Sequence, residues 1–290
     1  MKEKVLLNAY RVLSLLLVGV LVYSNKDRIA EFLNRKDTKE VQTISESVET
    51  ITAPVKISEE KQEEAILKVD ASKSATYIDE RVPDYSIING CVNDPVTLEY
   101  TWTSFEGLYY ATICYSIDQK LYEYFNSLSR YYGNSEYKNY INDPINSEYL
   151  DMLVENLEEI GDKRGYTDGE RVREVISFCQ SFEYETDQES TERAEWPKYP
   201  IELLYDRVGD CEDTALLLVG ILSRMGYGCA LIKFDDHIAV GLKGDQSIDG
   251  TYFENDGIKY YYIETTNRGW RIGEIPDEYV GLPATVIVIS

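Results

Sequence analysis

Apolar positions fall into two regimes, an unbroken run near the start of the chain and a periodic pattern beyond residue 75. Residues 12–23 (VLSLLLVGVLVY) are uncharged and follow Lys2, Lys4 and Arg11. Extended back to Val5, the run reaches 19 residues, enough to span a bilayer with Asn8 and Arg11 reaching toward the near interface. No A-x-A cleavage site follows, so residues 1–23 read as an uncleaved signal anchor with the bulk of the chain outside the cytoplasm. Lys26, Arg28, Arg35, Lys36 and Lys39 oppose that orientation, but a short tail ahead of a single span commonly stays inside. Residues 24–74 are polar and charged around Pro54, offer little that could form a packed face, and read as a linker.

Further along, residues 96–103 have strand character, and Ile117, Leu121, Phe125 and Leu128 recur at the spacing of a helix starting from Ser116. A second helix fits residues 147–160, with Leu150, Leu153, Val154 and Leu157 on one face. Residues 75–165 therefore read as a Tyr-rich, mainly helical extension. Its tyrosines suit half-buried packing with wet hydroxyls better than a ligand groove.

The stretch 166–290 opens with a capping box at residues 167–170 before a helix carrying Val172, Val175, Ile176 and Cys179. Gly209 suggests a tight turn ahead of Cys211. Ala215, Leu216, Leu218, Val219, Leu222 and Met225 then predict a strongly apolar helix stopped by Gly226. Strands follow at 229–234, 237–243 and 259–265, the last preceded by an Asn-Asp-Gly turn at 255–257. The expected class is α+β, with a central helix bearing a cysteine packed on an antiparallel sheet.

Charge narrows the choice of partners. The chain has 29 Lys and Arg against 52 Asp and Glu, a net charge of −23, which repels nucleic acid and favours cationic peptides or amine-bearing polymers over acidic substrates. Five cysteines (Cys91, Cys114, Cys179, Cys211 and Cys229) show no CxxC spacing and no paired histidine, so a zinc site lacks ligands. Cys179 and Cys229 fall on apolar faces, and Cys91 with Cys114 is the couple left outside the core for any pairing. The acidic run at 245–249 reads as a solvated loop, and no cofactor is expected.

The chemistry concentrates on a single histidine. His237 follows Cys211 by 26 residues, and Cys211 stands where a loop becomes a helix. A thiol at a helix N-terminus, facing one imidazole that a carboxylate can orient, is the minimal kit for nucleophilic acyl chemistry. Glu264 is the expected carboxylate, with Asp235 and Asp236 as substitutes beside the histidine. The helix N-terminus favours a resting thiolate–imidazolium pair, although Asp210, Glu212 and Asp213 disfavour an anion nearby. Gln180 is either a second oxyanion donor or a helix residue facing solvent, and the latter is favoured.

GDCEDTALLLVGILSRMGYG, then HIAVGLK, then YYYIETTNRGW resembles the core of the transglutaminase-like superfamily, which shares a papain-like arrangement with many cysteine peptidases. The likeness covers residues 165–275, and the upstream Tyr-rich part is similar to that of membrane-anchored microbial members. It implies Cys211 as nucleophile, His237 as general base and later acid, and Glu264 as the acidic third member, where the family more often has Asp. The expectation is a membrane-tethered cysteine hydrolase or acyltransferase, acting on peptide or carboxamide bonds of a peptide, protein or cell-envelope polymer through a thioester. The alternative is a catalytically idle binding module on the same fold at the cell surface.

Overall fold

The computed structural model describes residues 75–79 and 95–290, and these belong to one compact unit. The expected anchor, the linker and Cys91 lie outside the described residues. Among the described residues, no helix is long and apolar enough to cross a membrane.

The fold is α+β. Strands β1 (Ala75–Asp79), β2 (Pro95–Thr103) and β3 (Tyr110–Asp118) form a sheet in the order β1-β3-β2, parallel between β1 and β3 and antiparallel between β3 and β2. Helices α1 (Gln119–Ser127), α2 (Lys138–Asn142) and α3 (Pro144–Arg164) follow. Helix α4 (Asp168–Cys179), strand β4 (Glu183–Tyr184), helices α5 (Asp187–Ser190) and α6 (Pro200–Asp206) and strand β5 (Val208–Gly209) lead into helix α7 (Cys211–Arg224). Strands β6 (Cys229–Lys233), β7 (Ile238–Gly244), β8 (Tyr252–Asn255), β9 (Ile258–Ile263) and β10 (Thr285–Val288) close the chain as a wholly antiparallel sheet, ordered β10-β6-β7-β9-β8.

Local signals set the helix boundaries. The Thr167 N–H donates to Glu170, which completes the expected capping box of α4. Asp143 caps α3 ahead of Pro144 at its first position, and Gly165 at φ 70° ends it. Helix α7 ends on Gly226 at φ 88°, with the Tyr227 N–H donating back to the Leu222 carbonyl, as a Schellman motif requires. Every residue from Glu212 to Leu222 is buried, so α7 is the hub on which α2, α3, α4 and α6 pack from one side and β6 and β7 from the other.

The five-stranded sheet is buried on both faces. Leu231, Val240, Leu242 and Ile263 join the main core, while Ala230, Ile232, Ala239, Tyr260 and Tyr262 join a second cluster behind the sheet. Its Asn255-Asp256-Gly257 turn has positive φ at both Asp256 and Gly257, as the sequence suggests.

Three expectations change. The stretch expected to be a mainly helical extension carries the mixed sheet as well, and its side chains share one continuous hydrophobic cluster with α4, α6 and α7. Ser116 and Ile117 belong to β3 and do not start α1, because Ala111, Ile113, Tyr115 and Ile117 are all buried at the period of two proper to a strand. Gly209 makes no left-handed turn; Arg207 does, at φ 62°. What demands glycine at 209 is space, since a Cβ there would lie 2.7 Å from both Leu203 Cδ1 and Asp213 Oδ2.

Candidate active site

Three chain segments converge at one end of the sheet. Cys211 occupies the first position of α7, where Asp210 caps the helix by accepting the N–H groups of Glu212 and Asp213 at 3.1 and 3.4 Å. The N–H of Cys211 itself is the first-turn donor that this cap does not take. The backbone N–H of Ile238, the residue after His237, pulls the pKa of the thiol downward. His237 sits at the turn between β6 and β7, which its carbonyl closes by accepting the Phe234 N–H at 2.8 Å.

His237 is held on two sides. Its Nε2 lies 3.0 Å from Glu264 Oε2, which leaves Nδ1 as the ring nitrogen outside that bond. Its ring stacks on Tyr279 at a centroid distance of 4.7 Å and 15° between planes. Asp235 and Asp236, the possible substitutes for Glu264, are exposed and make no such bond, so Glu264 is the carboxylate that the fold supplies.

Glu264 lies just past the end of β9 and is almost fully buried at 1% exposure. Besides His237, its oxygens accept the Tyr262 hydroxyl at 2.7 Å, the Thr265 and Thr266 N–H groups at 2.9 and 3.0 Å, and the Thr266 hydroxyl at 2.8 Å. Burial pushes this carboxyl upward, but the hydrogen bond and charge of His237, followed by the Thr266 and Tyr262 donors, overcome it and bring the pKa down to about 2. Glu264 is therefore a fixed anion at any ordinary pH. The strand ends at Ile263, two residues earlier than expected, so Glu264 and Thr265 lie in the loop that follows it.

The expected resting thiolate meets opposition. Burial first, then Asp210, Glu212 and Asp213, push the Cys211 thiol well above its ordinary value, against the pull of the Ile238 N–H. A helix N-terminus contributes typically 0.3–1 kcal/mol toward an anion, too little to reverse burial among carboxyls. The arrangement suits a neutral thiol that gives up its proton to His237 as it attacks.

Gln180 follows neither expectation. It is buried, its Nε2 donates to the carbonyls of Glu264 and Trp270 at 2.8 and 2.9 Å, and its Oε1 accepts the Gly269 N–H at 3.1 Å. It ties the end of α4 to the loop after β9 and so fixes the backbone beneath Glu264. Tyr262 was legible in principle, since strand alternation places it on the same face as Glu264. Tyr279 was not, because it arrives from a distant loop.

Beside His237 and Glu264 opens a cleft of about 610 Å³, walled by Tyr184, Trp270 and Tyr279 and edged by Asp277 and Glu278. Cys211 does not line it directly; burial is the main cause that raises both Tyr184 and Tyr279, and Cys211 is among the neighbouring groups that add to it. Neither the models of known protein families nor the sequences of curated proteins yield a match to this chain.

Proposed function

We propose that this chain is a membrane-tethered cysteine acyl-transfer enzyme with a transglutaminase-like, papain-like core, held at the cell membrane with its folded part outside the cytoplasm. His237 Nδ1 takes the thiol proton while Cys211 Sγ attacks a carboxamide or peptide carbonyl, and the Cys211 N–H supports the developing oxyanion. Collapse breaks the C–N bond, His237 returns the proton to the departing amine, and a thioester remains. Water, or a second amine, attacks that thioester with His237 again as base. Glu264 keeps the imidazole in place and balances its charge.

The observation that carries this reading is the buried Glu264 fixed to His237 Nε2 at 3.0 Å, with the thiol within the pull of the very next backbone N–H. Aromatic walls and the carboxylates Asp277 and Glu278 beside the histidine suit a cationic substrate, in keeping with the acidic chain. The rival reading, an idle binding module, draws on the upward push on Cys211. Iodoacetamide labelling of the full chain near neutral pH separates them, with Cys114 as the internal reference thiol. An enzyme labels faster at Cys211 than at Cys114, loses that preference in His237→Ala, and loses all turnover of amide probes in Cys211→Ala. A binding module shows no preference at Cys211 and retains its partner after Cys211→Ala.

A further inference from the structure

We propose that Asp187, Asp210 and Glu212 form a binding site for a hard divalent cation of calcium size, directly beside Cys211. One oxygen from each of the three lies within 4.8 Å of the others. Two oxygens each about 2.4 Å from a calcium ion are at most about 4.8 Å apart, so the three meet the spacing that a shared ion requires. The donor set is all carboxylate. The chain's one imidazole is engaged with Glu264, so nitrogen-seeking metals find no such ligand here.

The second observation is independent of that spacing. Asp187 and Glu212 are 4% and 8% exposed, yet Asp187 Oδ1 and Glu212 Oε1 are buried with no hydrogen-bond partner. Buried carboxylate oxygens are normally met by donors, as all those of Glu264 are. The two buried cations nearest in the fold are already committed. Arg130 is bidentate on Glu202 at 2.6 and 2.8 Å, and Lys198 Nζ donates to the Val208 carbonyl at 2.8 Å and pairs with Asp206. Among the described residues, no Lys or Arg forms an ion pair with any of the three.

Their remaining oxygens are braced as metal-binding carboxylates usually are. Asp210 holds the Glu212 and Asp213 N–H groups, and Asp187 Oδ2 accepts the Trp196 backbone N–H. A cation here clamps α5, in the long connection between α4 and α6, to the first turn of α7. It thereby fixes the height of the helix end that carries Cys211. The site stands whether or not Cys211 is catalytic.

The test uses the full-length chain in detergent after treatment with a chelator. Terbium emission sensitised by Trp196 should appear on titration and be displaced by calcium, calorimetry should give one calcium per chain, and calcium should raise the melting temperature by several degrees. Asp187→Asn and Glu212→Gln should each weaken calcium binding about 10-fold or more, while Cys211→Ala should leave it unchanged. Absence of calcium binding at millimolar concentration overturns the assignment, as does binding that both variants leave intact or binding of zinc alone. Should Glu212→Gln fail to fold, Asp187→Asn and the calcium dependence of the wild-type melting temperature decide the matter.

Discussion

Two acidic corners flank the thiol, and they resolve the burial of a carboxyl in opposite ways. At the end of β9, Glu264 is 1% exposed, meets five donors and stays ionised, with its pKa near 2. At the start of α7, Glu212 is 8% exposed and meets none; burial first, then Asp210, Asp213 and Asp187, raise it to about 9. Glu174 falls between them. It is 2% exposed and accepts two donors, the Trp102 indole at 2.8 Å and the Phe105 N–H at 3.2 Å. Burial raises it to about 7 against the pull of those two. At nearly equal burial, the supply of donors and the sign of the neighbouring charges decide whether a buried carboxyl is an anion or an acid.

The largest effect should come from dismantling the satisfied corner. With an amide probe in steady-state kinetics, His237→Ala should lower kcat/KM about 10²–10⁴-fold. Glu264→Gln keeps the shape but removes the charge, and should cost about 10²-fold with Cys211 alkylation slowed in parallel. An unchanged alkylation rate in Glu264→Gln would detach this carboxylate from the chemistry.

The intermediate case sharpens the comparison through stability. Because the folded-state pKa of Glu174 lies above the ordinary 4.5, the native state binds the extra proton. The stability this group contributes is fully present below about pH 4.5 and is lost as pH rises through about 7. That move corresponds to about 3 kcal/mol. Urea melts of wild type and Glu174→Gln at a series of pH values should therefore differ by a pH-dependent amount across that window, with the wild type falling relative to the variant. A pH-independent difference would mean that Glu174 is ionised throughout.

Smallest is the removal of one donor among five. Tyr262→Phe should destabilise the fold by about 1 kcal/mol and lower kcat/KM by less than about 10-fold, since four donors still hold Glu264. A loss as large as that of Glu264→Gln would mark the Tyr262 hydroxyl as the group that sets the carboxylate's position.

What the chain alone disclosed follows physical lines. Cys211, His237 and Glu264 were legible because each stands at the boundary of a periodic segment, where helix start, strand start and strand end are written in local pattern. Asp210 and Glu212 were legible only as repulsion on the thiol; that Asp187 joins them depends on how the link between α4 and α6 folds back, for which no periodicity exists. Gln180 was misread because a polar residue just past a helix usually faces water, whereas here both its amide ends are claimed by the loop after β9. Ile117 fitted two periods at once, and only its partners across β2 and β3 choose between them.

The indole of Trp102 reaches from β2 to Glu174 on α4, and its ring packs edge-on against Phe178 of that helix at 5.0 Å. Transplanting residues 166–290 into another protein would leave Phe178, Leu203 and Leu204 without their cover and Glu174 without either of its two donors. A graft of the acyl-transfer machinery therefore has to carry the small mixed sheet along with it.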